Sequence, residues 1–165
     1  MSRYRPPPPR SSPYITAEGY QTLLAEEKSI WQTRKEVTEA VSAAAAEGDR
    51  SENAEYIYRK KQLREIDRRI RYLQKRLPTL KVVEAVGSRE QVFFGAFVEL
   101  LDENDVSINY RIVGPDEIDP DGGKISIDSP VAKALIKKKV GDEITVQLGD
   151  VQRCYEVLSI NYAAS

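Results

Sequence analysis

The sequence predicts an α+β protein, in which an antiparallel α-helical coiled-coil hairpin precedes a small antiparallel sheet with one helix. Up to Leu77, apolar residues repeat every seven positions, which is typical of paired helices. After Arg89 the apolar period changes to two, which is typical of half-buried strands. We therefore expect a tail at residues 1–13, a hairpin at 14–80 and a globular domain at 81–165.

The first predicted helix runs from an N-cap at Thr16 to Ala46. Its apolar positions shrink towards the end, where four consecutive alanines favour close approach of a second helix. Gly48 then ends it, as a glycine after a helix commonly does. The residues that repeat every seven positions are Leu23, Ile30, Val37 and Ala44.

The second predicted helix starts near Asp49 to Ser51 and runs to Leu77, where Pro78 closes it. The linker between the helices is too short for anything but an antiparallel hairpin. A parallel DNA-binding coiled-coil dimer needs one uninterrupted helix, which Gly48 disfavours, so we expect a monomer. The repeating apolar residues are Tyr56, Leu63, Ile70 and Leu77.

The carboxy-terminal half predicts four strands, at residues 93–101, 106–113, 144–148 and 154–162. The apolar parity of the last strand changes near Val157 and Leu158, which predicts a bulge. Ser129 and Pro130 predict the N-cap and first position of a short helix that runs to about Lys138.

Composition excludes several kinds of chemistry. The chain has no histidine and a single cysteine, Cys154, which removes the usual general base, an internal disulfide and cysteine-based zinc sites. No apolar stretch approaches the roughly 18 residues of a membrane span. The start of the chain lacks the apolar core of a signal peptide. We expect a cytoplasmic protein with no membrane partner.

Charge is distributed unevenly along the chain. Its net charge is −1, but residues 1–77 carry 16 basic and 11 acidic residues, whereas residues 78–165 carry 9 and 15. The tail at 1–13 contains five prolines and three arginines, which indicates an extended, disordered segment. We expect this tail to be a solvated segment without a binding role. Binding of the tail to an aromatic groove or to an acidic surface is the alternative.

Basic residues concentrate on one side of the second helix. Between Arg59 and Arg76 there are nine basic and two acidic residues. At about 100° per residue, five of them share an arc of roughly 80°, which is separate from the arc of the apolar seam. We call these five residues the basic stripe, and we expect it to face phosphates. Because no aromatic residue lies among them, base stacking is not indicated. The five are Lys60, Arg64, Arg68, Arg71 and Lys75.

Two carboxylates, Asp49 and Glu52, stand at the turn between the helices. Alone, they are a capping-box variant, with Asp49 as N-cap and Glu52 at the third helical position. The functional alternative is a divalent-ion site, since magnesium is often held by one or two protein carboxylates with water and phosphate. Two ligands are too few for tight binding, so a partner would have to complete that site.

Three segments resemble the GreA/GreB family of bacterial transcript cleavage factors. They are the turn at residues 48–56 (Gly-Asp-Arg-Ser-Glu-Asn-Ala-Glu-Tyr), residues 93–98 with 110–114, and residues 125–135. Residues 58–69 look like GreB rather than GreA. The resemblance covers about Tyr14 to Tyr162.

The resemblance implies an FKBP-like globular domain that docks on RNA polymerase, with Asp128, Ser129 and Pro130 in the docking surface. It implies that the hairpin enters the secondary channel, where Asp49 and Glu52 share a catalytic Mg²⁺ with the polymerase. The polymerase would then hydrolyse the extruded 3′ end of its nascent RNA, and the factor would be an activator without turnover of its own. The alternative is a channel-binding protein that inhibits polymerase without cleavage.

Overall fold

A computed structural model describes residues 11–48, 53–84 and 90–163. The chain divides into two compact units. One is helical and comprises Tyr20–Leu80. The other combines Met1–Gly19 with Lys81–Ser165. Within the described ranges, no helix is long and apolar enough to cross a membrane.

The helical unit is built from two long helices. Helix α1 spans Ala17–Ala45, helix α2 spans Ala54–Arg76, and a 3₁₀ turn at Leu77–Thr79 follows α2. Contacts between the helices join Glu26 to Arg69, Arg34 to Asp67, and Ala44 to Asn53. Partner numbers fall on α2 as they rise on α1, so the helices are antiparallel, which confirms the predicted hairpin.

Apolar burial between the helices follows the predicted heptads. Leu73 is completely buried, and five further seam residues are nearly so: Leu23, Val37, Ala44, Ile70 and Leu77. Burying a Leu, Val or Ile side chain contributes about 1.5–3 kcal/mol, whereas an exposed ion pair contributes about 0–1 kcal/mol. The apolar seam therefore dominates the stability of the hairpin, and the ion pairs fix its register.

The globular unit is organised around a five-stranded sheet of order β5–β4–β3–β7–β6. Three of its four pairings are antiparallel, as the sequence predicts, whereas β4 and β5 are parallel. Parallel pairing arises because the chain turns back through a 3₁₀ turn at Pro115–Glu117 before entering β5. The strands are β3 (Phe97–Leu101), β4 (Ser107–Val113), β5 (Lys124–Ser126), β6 (Glu143–Leu148) and β7 (Val151–Asn161).

Helix α3 (Pro130–Leu135) contributes Ala132 and Leu135 to the core of this unit. The helix is shorter than predicted, because Ile136 is extended and Lys137 has a positive φ of 69°. Strand β3 starts later than predicted, because a turn with Gly95 at φ 85° precedes it. The predicted bulge is confirmed: Glu99 pairs with Ser159 but Leu100 pairs with Val157, which leaves Leu158 as the extra residue.

The start of the described chain belongs to the globular unit. Strand β1 (Tyr14–Ile15) pairs in parallel with β2 (Lys81–Val82), and Ile15 is completely buried. Thr16 then caps α1, since the Gly19 amide donates to its hydroxyl at 3.1 Å. Glu117 accepts from the backbone amides of Thr16 at 3.0 Å and Gly114 at 2.7 Å. This carboxylate therefore fixes the point at which α1 begins.

Candidate functional site

The described residues on either side of the hairpin turn are held in place by one side chain, that of Asn53. Its carbonyl oxygen accepts from the Tyr56 amide at 3.0 Å, which caps α2. Its amide nitrogen donates to the Ala44 carbonyl oxygen at 2.7 Å, which ties α2 to the last turn of α1. Gly48 has a φ of 134°, a conformation that favours glycine.

Asn53 corrects the predicted start of α2. The sequence placed that start near Asp49 to Ser51, with Asp49 as N-cap, whereas α2 begins at Ala54 with Asn53 as its cap. Asn is as good an N-cap as Asp, so a signal was present in the sequence. Asn53 makes two contacts at this position, since it caps α2 and also donates to the Ala44 carbonyl oxygen.

Asp49 and Glu52 themselves lie outside the described residues. Among the described residues, no group of three or more His, Cys, Asp or Glu side chains could hold a metal ion. The role of Asp49 and Glu52 as magnesium ligands therefore stays a prediction. The neighbouring residues Gly48 and Asn53 lie at the end of the helical hairpin. There the Asn53 side chain, which caps α2, donates a hydrogen bond to the Ala44 carbonyl oxygen of α1.

The basic stripe is fully displayed on the surface of α2. Its five members, Lys60, Arg64, Arg68, Arg71 and Lys75, are all exposed. Other arginines of the same helix are engaged: Arg59 donates to Glu55 at 2.8 Å, and Arg69 donates to Glu26 at 2.6 and 2.9 Å. Within the ranges that the structure describes, no stripe residue forms an ion pair.

The basic residues of α2 include two groups, those paired with carboxylates of the protein and those of the stripe. Arg59 and Arg69 are paired with carboxylates of the protein, whereas the five stripe residues form no ion pair within the described ranges. Lys60 also lies 5.3 Å from the centroid of the Tyr56 ring. An uncompensated row of cations on one helix face creates the positive potential that attracts a nucleic-acid backbone.

The Glu26–Arg69 pair gives the hairpin a predicted pH dependence. Hydrogen bonding and charge from Arg69 hold the pKa of Glu26 below its usual range, against the opposing effect of burial. A carboxyl with a lowered folded-state pKa stabilises the fold above its unfolded pKa of about 4.3, and that contribution is lost as pH falls through the folded pKa. Glu26→Gln should therefore lower hairpin stability at neutral pH, and the difference from the parent should vanish in acid.

Urea unfolding followed by far-ultraviolet circular dichroism, at neutral and acidic pH, measures that difference. Glu27→Gln, the neighbouring carboxyl on α1, is the matched control and should show a smaller loss at neutral pH. A Glu26→Gln deficit that stays constant across the acid range would contradict the assignment of this ion pair.

The three predicted docking residues lie together at the start of α3. Ser129 caps the helix, since the Ala132 amide donates to its hydroxyl at 3.2 Å, and Pro130 at the first position is exposed. Asp128 accepts from the backbone amide of Ser12 at 2.9 Å and from the Ser12 hydroxyl. The Asp128 carboxylate therefore binds the amino-terminal segment, a contact that the sequence did not indicate.

Both halves of the chain match known protein families. A family profile described as "Transcription elongation factor, N-terminal" matches residues 13–82, and one described as "Transcription elongation factor, GreA/GreB, C-term" matches residues 87–162. "Transcription elongation factor GreB" of Xanthomonas axonopodis pv. citri (strain 306) is 55% identical over 167 residues, which is 99% of each chain. The chain belongs to the GreA/GreB family of transcription elongation factors.

A second relative agrees with this assignment. The GreB protein of Pseudomonas aeruginosa is 52% identical over 98% of both chains. A solved structure titled "Structure of the transcription factor Gfh1" aligns with 92% of this chain and 97% of its own, at 26% identity. Its TM-score is 0.43, so the assignment to the family rests on sequence identity.

Proposed function

We propose that this elongation factor inserts the end of its hairpin into the secondary channel of RNA polymerase and stimulates hydrolysis of backtracked nascent RNA. The observation that carries the proposal is the basic stripe, which stays unneutralised on the helix that leads away from the turn. A row of free cations beside a carboxylate-bearing turn suits a strand of RNA whose end is to be cut.

In this proposal the chain contributes ligands to a site that the polymerase completes. Asp49 and Glu52 provide two carboxylates, which suits magnesium because it often takes only one or two protein carboxylates. Magnesium, when bound, stabilises the charge on the phosphate and lowers the pKa of the attacking water. In the hydrolysis, water forms a bond to the phosphorus while one P–O ester bond breaks, which separates the 3′ fragment from the rest of the RNA. The polymerase supplies the remaining metal ligands. The factor is therefore an activator and not an enzyme.

The hairpin has the properties that such delivery requires. A pair of helices, each roughly 10–12 Å in diameter with side chains, is narrow. Asn53 holds the two helix ends together beside the turn, through its bonds to Ala44 and Tyr56. The residue that follows the two carboxylates in the chain is therefore fixed to the end of α1.

Docking on the polymerase is proposed for the start of α3. Pro130 is exposed there and lies beside Ser129, the helix cap. A monomer acting in the cytoplasm on RNA polymerase, as expected from the sequence, is part of the same proposal.

The test uses transcription complexes halted in a backtracked register, with RNA labelled at its 3′ end. Adding the protein with magnesium should release labelled 3′ fragments faster than the polymerase alone does, and a chelator should abolish the effect. Slower elongation without fragment release would instead support the channel-binding inhibitor and overturn this proposal.

A further inference from the structure

Two exposed tyrosines of α2 lie round the helix between the basic stripe and the apolar seam. Tyr58 is 59% exposed and Tyr72 is 41% exposed. They are two heptads apart, so they point in similar directions and lie about 21 Å apart along the helix. At about 100° per residue, Tyr72 is only about 40° round the helix from Arg68. Four stripe residues therefore lie along the helix between the two rings: Lys60, Arg64, Arg68 and Arg71.

An arginine guanidinium lies near each tyrosine ring, and each of these arginines is held by hydrogen bonds to other side chains. The Arg59 guanidinium carbon lies 5.5 Å from the centroid of the Tyr58 ring, and Arg59 donates to Glu55 and Gln62 at 2.8 and 3.0 Å. The Arg69 guanidinium carbon lies 5.3 Å from the centroid of the Tyr72 ring, and Arg69 is held by two bonds to Glu26. The same arrangement therefore occurs at both ends of the row of cations.

Neither tyrosine ring is buried in the apolar interface between the two helices. Seam residues of α2 such as Ile70 and Leu73 are buried, whereas both tyrosines keep a large exposed area. A tyrosine ring held by a cation offers a flat surface at a reduced entropy cost, because part of its rotation is already restricted. Single-stranded nucleic acid is bound by this combination of a cationic track and aromatic surfaces on which bases stack.

We propose that Tyr58 and Tyr72 stack on bases of the single-stranded RNA whose phosphates bind the basic stripe. The identity of this ligand rests on the proposed function. Sequence reasoning gave no indication of stacking, because it considered only the stripe residues themselves. The two tyrosines lie outside the stripe, on the face of α2 between it and the apolar seam.

The positions of the rings give the proposal a dependence on RNA length. Tyr58 is in the first two turns of α2 and Tyr72 is in the last two. An RNA end that enters from the turn passes Tyr58 first, and only a longer end reaches Tyr72. Tyr72 is thereby assigned the role of a positioning residue for long extruded ends.

The experiment measures binding of the full chain to labelled RNA without polymerase, by fluorescence anisotropy at low salt. One strand is a single-stranded RNA of about 10 nucleotides, and the other is an abasic strand of equal length, which has the same charge and no bases. The parent should bind the RNA about tenfold more tightly than the abasic strand. Tyr58→Leu with Tyr72→Leu should remove that preference and leave affinity for the abasic strand unchanged, whereas the two Tyr→Phe variants should retain it.

Trp31→Leu is the matched control, since Trp31 is 49% exposed on α1 of the same unit and should not contribute. Equal binding of both strands by the parent would overturn the proposal, as would an equal loss for both strands in the double Leu variant. Because no polymerase is present, the stacking proposal and the cleavage proposal fail in separate experiments.

Discussion

The double variant Asp49→Ala, Glu52→Ala is expected to lose the stimulation of RNA cleavage by about 100-fold or more. Replacing even the groups that orient metal ligands costs about 10–100-fold, and here the ligands themselves are removed. Each single variant should already lose most of the effect. Magnesium is usually bound by only one or two protein carboxylates, so the loss of one removes a large part of its protein ligands. The rate of 3′ fragment release from backtracked complexes measures this directly.

Binding to the polymerase should stay within about twofold in the same variant, since the proposed docking area is at the start of α3 and a few central residues dominate the affinity of an interface. Glu47→Ala is the matched control, because Glu47 is exposed and lies close by in the chain. It should cleave as the parent does. Parental cleavage by the double variant would remove Asp49 and Glu52 from the mechanism.

Charge reversal in the basic stripe is expected to have the second-largest effect. Arg64→Glu with Arg68→Glu should weaken binding to single-stranded RNA by about 10–100-fold at low salt. Each lost phosphate contact should also reduce the slope of log affinity against log salt by about 0.7, or about 1.4 for the pair. An anisotropy titration at several salt concentrations gives both quantities.

A matched control for that reversal exists on the other helix. Lys28→Glu with Lys35→Glu changes the net charge by the same amount at two exposed positions of α1. It should leave the salt slope close to that of the parent. Equal losses for the two pairs would mean that total charge, and not the stripe, governs binding.

The hairpin was predictable from sequence because its stability comes from a repeating apolar pattern. Ile70 and Leu77 are buried where the heptads place them. The start of α2 was not predictable, because Asp49, Ser51 and Asn53 are all acceptable N-caps. The choice depends on the bond from Asn53 to the Ala44 carbonyl, a contact between helices that local sequence does not encode.

In the globular unit, four of the five strands of the main sheet were predictable, whereas the short strand β5 and part of the pairing were not. Alternation of apolar residues identified β4 and β6, and the change of parity identified the bulge at Leu158. Strand β1 has only two residues, which is too few for a periodic pattern. Its pairing with β2, like the bonds from Thr16 to Glu117, joins residues far apart in the chain.

The candidate site shows the same division. Helical periodicity placed the five stripe residues on one exposed face. It did not reveal which arginines of α2 are neutralised, because that depends on Glu26 of α1 for Arg69 and on the local pair with Glu55 for Arg59. The fixed tyrosine rings between the stripe and the apolar seam follow from those ion pairs, so they too required the structure.

The magnesium dependence of fragment release tests the central claim most directly. The rate is measured across a magnesium titration for polymerase alone, with the parent chain, and with the Asp49→Ala, Glu52→Ala variant. If the hairpin supplies metal ligands, the parent should lower the magnesium concentration needed for half-maximal cleavage, and the variant should match polymerase alone. A parent that raises the rate without shifting that concentration, or a variant that shifts it equally, would contradict the claim.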